Sequence, residues 1–209
     1  HPNSRRQRQM CIRDSSYAEN FLHILGAEKI TPLMTRIMDA TLVLHGEHTI
    51  NASTFTAMVT SSTLANASQV VASAIGSLSG PLHGGANEKV IAMLQKIKSK
   101  EEIRPWLDET LKAKNVVWGM GHREYSVKDP RANILTDMVQ ELFEEREGGV
   151  TDIFDKAIEL EKACEEKLSH KGVYPNVDFY SGILYKEMDI PTDIFTPCLL
   201  YTSDAADDC

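Results

Sequence analysis

Cysteine is scarce in this chain and follows no pattern. Cys11, Cys164, Cys198 and Cys209 are all it has, with neither CxxC spacing nor the density of a disulfide scaffold, so reduced thiols are expected. Basic charge is also in short supply. A formal net charge of -8 argues against a nucleic-acid surface, because neutralising phosphates needs clustered Lys and Arg, and no basic stripe occurs beyond the first fifteen residues. No apolar run approaches the roughly 18 to 20 residues of a membrane helix, and no signal-peptide pattern is seen. No membrane partner and a cytoplasmic address are the expectations. Strand-like alternation is nearly missing too: Val116 to Trp118 is the one such stretch and is too short to found a sheet.

What the chain does have is helical periodicity and enough apolar residues for a core. With 209 residues, 42% of them hydrophobic, one large or two modest domains fit. The ends look foreign to the rest. HPNSRRQRQMCIRDS and CLLYTSDAADDC carry no periodicity and resemble translated adapter sequence, with ordinary disordered termini as the alternative. Residues 1–15 and 198–209 are therefore set aside as tails. Thr31 and Pro32 offer an N-cap and a first helical residue, and Leu33, Met34, Ile37, Met38, Thr41 and Leu44 recur at helical spacing to about His45. Asn51 or Ser53 caps a second helix with Phe55, Met58, Val59 and Leu64 as its stripe. A third, rich in small residues, runs from Ser68 to Leu78. Further stripes are Val90, Leu94 and Ile97, then Ile134 to Phe143, then Ile153, Ala157, Leu160, Cys164 and Leu168. The last puts Cys164 on a buried face. The fold class is all-α, assembled from helical hairpins.

Three breaks between these helices carry titratable groups: His83 in PLHGGAN, His122 in GMGHREYSVKDPR and Asp178 in YPNVDFYSG. Glycine and proline there force turns, the means by which a helical protein gathers distant side chains into one cleft. His83 stands at the mouth of a helix, where the macrodipole disfavours an imidazolium and a neutral, hydrogen-bond-donating ring is expected. A plain helix cap is the competing reading. A glycine-flanked His122 followed by Arg131 suits a carbonyl beside a carboxylate, the guanidinium forking the carboxylate; alternatively Arg131 pairs with Asp129 or a helix end. Ahead of Asp178, Pro175 imposes an extended approach and Asn176 ties down the turn, with Ser181 and Gly182 opening the next helix. His45 and His48 are spaced to ligate a metal, but Gly46 weakens the helix and no third ligand is evident, so one imidazole serving an anionic substrate is preferred.

Taken together, LHGEHTINASTFT, PLHGGANEKV, GMGHREYSVKDPRANIL and YPNVDFYSGILYKEMDIPTDIFTP resemble the successive signature segments of the citrate synthase family, in order, across nearly all of residues 16–197. The resemblance implies a two-domain, all-α homodimer that condenses acetyl-CoA with oxaloacetate and needs no metal or other cofactor. It implies an incomplete large domain over residues 16–85, a small domain over 86–183 and a return to the large domain over 184–197. His83 then matches the residue that stabilises the enol of acetyl-CoA, Asp178 the base, and His122 the donor to the oxaloacetate carbonyl. His48, Arg131, Asn51 and Asn176 fall to substrate binding, and Val117, Gly119, Met120 and Gly121 to the coenzyme. Family members continue past an IFTP segment with further arginines, one reaching the neighbouring subunit. On that basis the chain is expected to be a fragment with an incomplete carboxylate clamp and little or no activity alone. A 2-methylcitrate synthase acting on propionyl-CoA and a non-catalytic helical binding module are the alternatives.

Overall fold

Helix boundaries follow local capping chemistry. The computed structural model describes residues 15–27, 29–46, 50–80, 83–122, 126–145 and 149–196. Ser16 caps α1 (Tyr17–Leu25) by accepting from the Glu19 N–H, and Gly26 closes it in the left-handed region. Thr31 caps α2 (Pro32–Gly46) through the Met34 N–H. Asn51, rather than Ser53, caps α3 (Ala52–Ser61), accepting from the Thr54 N–H at 2.9 Å. After α4 (Ala67–Leu78) come α5 (Ala86–Lys96), α6 (Ile103–Lys112), α7 (Pro130–Glu145), α8 (Asp152–Leu168) and α9 (Val177–Glu187). Among the described residues there is no strand beyond an isolated antiparallel bridge between Met120 and Pro175.

The chain divides into two compact units. One holds the described residues up to Leu78, with Met188–Ile190, and the other holds Ser79–Glu187 with Pro191–Thr196. In the first, α1 packs on α2, and α3 with α4 forms a tight hairpin. The stripe anticipated on α3 is not its buried face: Phe55, Met58, Val59 and Leu64 are exposed, while Ser53, Thr54 and Ala57 point inward. Ala57, Val70 and Ala74 make the seam, and Thr60 bonds Ser73 across it at 2.9 Å. Two short helices approach this closely only through small side chains, which turns the bulky apolar ones outward.

The second unit is built around α9, which packs against α5 and α7 while α8 joins α5 and α6. Phe179, Tyr180, Ile183, Leu184 and Tyr185 are all fully buried. A helix buried on every face belongs at the centre of its unit. Ser181 and Gly182 therefore lie inside α9 rather than opening it, and Asp178 occupies its first turn. Cys164 is a free, buried thiol on α8, as its spacing indicated; burial pushes its pKa up to about 12, so it is inert. Where α5 crosses α9, a Cβ on Gly182 would lie 2.7 Å from the Asn87 carbonyl oxygen.

That crossing gives a direct test. Gly182→Ala is expected to lower unfolding stability by roughly 1–3 kcal/mol through overpacking against backbone. Gly76→Ala on α4, where a new methyl meets nothing within 4 Å, should gain about 0.5–1 kcal/mol from helix propensity. Urea unfolding followed by circular dichroism reads both.

Candidate functional site

Segments far apart in sequence are laced together at the start of α9. The Gly121 N–H donates to the Tyr174 carbonyl at 2.7 Å, and the Asn176 N–H to the Gly119 carbonyl at 3.0 Å. Asn176 Nδ2 adds a bond to the Gly121 carbonyl at 2.8 Å, and its Oδ1 accepts from the Asp178 N–H at 3.0 Å. Asn176 is thus the turn-fastening residue its position suggested. Gly119 and Gly121 adopt φ of 79° and 87°. At Gly119 a side chain is also sterically barred, since its Cβ would stand 2.8 Å from Phe179 and Val90. Val117 is buried beside them, and Met120 carries the bridge to Pro175.

This lacing sets His122 near the first turn of α9. From there the chain passes to Asp129 and Arg131 at the start of α7. Arg131 grips Asp129 through Nε at 3.1 Å and Nη2 at 2.8 Å, and its backbone N–H bonds the same carboxylate at 2.9 Å. Burial works to raise the Asp129 carboxyl, but Arg131 outweighs it, with help from His122, and holds it below the ordinary range. The Arg131–Asp129 pairing foreseen as an alternative is what the structure contains.

Asp178 responds to the same charges. Part of its surface still meets solvent. Burial pushes its pKa up to about 6, Arg131 opposing and Asp129 adding to the rise. His83 sits in the turn before α5, where its N–H donates to the Gly80 carbonyl at 3.0 Å and the Thr196 hydroxyl donates to the neighbouring Gly84 carbonyl at 3.0 Å. Its pKa is lowered, and burial is the cause. The α5–α9 crossing ties its helix to that of Asp178.

His83, His122, Arg131, Asn176 and Asp178 all belong to the second unit. Asn51 lies in the first, as a helix cap, and His48 lies outside the described residues. His45 is buried, its Nδ1 2.8 Å from the Thr41 carbonyl oxygen. Among the described residues no three His, Cys, Asp or Glu side chains converge as metal ligands, and no helix is long and apolar enough to cross a membrane. Asn87, whose backbone carbonyl meets Gly182 at the crossing of α5 and α9, is a site-building residue beyond those singled out in the sequence. Asn87 is the polar member of an otherwise apolar stripe with Val90, Ile91 and Leu94, a signal the sequence does carry.

The fold and site define an all-helical class of protein in which two imidazoles are presented from helix breaks and a carboxylate of raised pKa stands in the first turn of a helix. Known proteins give the class its family. The chain matches the family described as citrate synthase, C-terminal domain, over residues 2–202, and it belongs to the citrate synthase family. It is 52% identical over 181 residues to the citrate synthase of Synechocystis, covering 87% of this chain and 45% of that protein. Against the Acidithiobacillus ferridurans citrate synthase it is 48% identical over 184 residues, covering 88% and 48%. The chain thus spans about half the length of the curated relatives it matches. Among solved structures, it superposes with a TM-score of 0.84 and 32% identity on the Thermoplasma acidophilum citrate synthase, in a ternary complex with carboxymethyl coenzyme A and oxaloacetate, covering 93% of this chain and 51% of that one. The Pyrobaculum aerophilum enzyme gives 0.85 at 34% identity, covering 92% and 48%.

The raised pKa of Asp178 has a thermodynamic signature. A carboxyl that titrates near 3.8 when unfolded and near 6 when folded is neutral in both states at low pH. As pH rises through that window the unfolded chain ionises first, and stability falls. Asp178→Asn should therefore gain stability relative to the parent between pH 4 and pH 7.5, on the order of 3 kcal/mol. Urea unfolding at the two pH values measures it, and a constant difference would contradict the raised pKa.

Proposed function

We propose that this chain carries the acid/base centre of a citrate synthase, condensing acetyl-CoA with oxaloacetate and hydrolysing citryl-CoA to citrate and CoA. Asp178 takes a methyl proton from acetyl-CoA while a neutral His83 donates to the thioester oxygen, giving the enol. The enol carbon then bonds to the oxaloacetate carbonyl carbon as the thioester carbonyl re-forms and the enol proton returns to His83. His122 supplies the proton to the developing alkoxide, and water cleaves the thioester. Arg131, with His48, binds substrate, Asn176 fastens the turn ahead of Asp178, and Val117, Gly119, Met120 and Gly121 border the coenzyme. No metal or further cofactor is called for.

The observation that carries this reading is Asp178 itself. A thioester methyl is a weak carbon acid, and a carboxylate with a pKa of about 6 is a stronger base than a surface aspartate while remaining ionised at neutral pH. The named relatives are all citrate synthases, which favours acetyl-CoA over propionyl-CoA and catalysis over mere binding. Operation in the tricarboxylic acid cycle and a cytoplasmic address belong to the same proposal.

A homodimer completes it. Phe55 and Val59 on α3 are 61% and 51% exposed, and Met58 and, on α4, Ile75 are exposed with them. An apolar face on a helical hairpin calls for a partner, and a second copy supplies one. Sedimentation of the chain should reveal a dimer that Phe55→Glu with Val59→Glu converts to monomer; a monomeric parent would count against it.

For the chemistry, residues 16–196 can replace the matching segment of the Synechocystis citrate synthase. Asp178→Asn in that chimera is expected to cut kcat about 100- to 10,000-fold, with oxaloacetate binding by calorimetry retained. Unchanged turnover would sink the assignment.

A further inference from the structure

Beside the candidate site lies a charged cluster for which the proposed chemistry has no use. Glu161 on α8 receives Lys128 Nζ on one carboxylate oxygen at 2.5 Å and a hydrogen bond from the Tyr180 hydroxyl on the other. The Lys128 ammonium lies 5.7 Å from the centroid of the Tyr180 ring. Thr136 of α7 hydrogen-bonds the same phenol, and burial, then Glu161, hold Tyr180 protonated well above its ordinary range. Tyr180 is fully buried and the Glu161 side chain is only 14% exposed.

The placement of these residues is what matters. Lys128 immediately precedes Asp129, and Tyr180 follows Asp178 by two residues on α9. One carboxylate, on a helix contributing nothing else to the site, thus holds both the segment bearing Asp129 and Arg131 and the helix bearing Asp178. We infer that Lys128, Glu161 and Tyr180 form a positioning clasp that fixes the Asp129–Arg131 pair against the first turn of α9 and so sets the surroundings in which Asp178 exchanges its proton.

The groups acting on Asp178 are Arg131 and Asp129, with His122 acting on Asp129 in turn. Arg131 and Asp129 lie on the stretch of chain that Lys128 anchors. Releasing the clasp loosens that stretch and admits water to the carboxyl, so the largest influence on Asp178, its burial, is the one that weakens. The inference rests on Asp178 being the base, but its primary test does not.

Carboxyl carbon NMR of the 209-residue chain, with the Asp178 signal assigned by Asp178→Asn, follows the titration directly. In Glu161→Gln and Lys128→Met the Asp178 midpoint is expected to fall from about 6 toward the ordinary aspartate range, whereas Lys128→Arg, which keeps the ion pair, should leave it in place. In the chimera, Glu161→Gln should lower kcat about tenfold, with Lys128→Arg near the parent. Variants that lose thermal stability but keep the Asp178 midpoint and kcat would show the cluster to be structural only and overturn the inference. Should Glu161→Gln not fold, Lys128→Met decides, since that side chain is 29% exposed and its loss leaves no buried hole. Full turnover in Asp178→Asn would defeat the catalytic reading while leaving the clasp to be judged on the NMR titration.

Discussion

The backbone bonds between Gly119–Gly121 and Tyr174–Asn176 are the constraint on which the site depends. They join two helix breaks separated by the whole of α7 and α8, and they bring the residue before His122 to the turn that leads into α9. Left-handed backbone at Gly119 and Gly121 makes the lacing geometrically available. The contact of a bare Gly182 with the Asn87 carbonyl does the same for the turn carrying His83. In both places the missing side chain is the structural element.

Electrostatics then differentiates two aspartates on neighbouring segments. Asp129 and Asp178 are both crowded by protein, yet one is held below and the other above the usual carboxylate range. Direct hydrogen bonds from Arg131 account for the first, whereas Asp178 feels the guanidinium only as a charge and feels Asp129 as a repulsion. Environments that push like groups apart in this way commonly divide structural from chemical roles. Here Asp129 orients Arg131, and Asp178 is left with proton affinity to spend.

Much of this was legible in the residues. Apolar stripes at helical spacing located the second helix of the first unit and the helices around Val90, Leu135 and Leu160, because burial of one face forces that period. Other features were hidden. The stripe on α3 read as core because Phe55, Met58 and Val59 are apolar, yet packing of the hairpin on its small residues faces them outward. In α9, Ser181 and Gly182 look like a helix opening, but they are interior residues tolerated because a neighbouring backbone needs the room. α6 escaped notice, its Pro105 and charged residues diluting the stripe of Ile103, Leu107 and Thr110.

The sequence by itself determined the helical class, the three helix breaks and the titratable groups within them, since periodicity, glycine, proline and side-chain chemistry are local properties that need no partner. Tertiary structure alone decided that Arg131 grips Asp129, that burial lowers the His83 pKa, and that Glu161 binds both Lys128 and Tyr180. Those outcomes depend on which groups share a desolvated volume, and that is set by how helices distant in the chain cross.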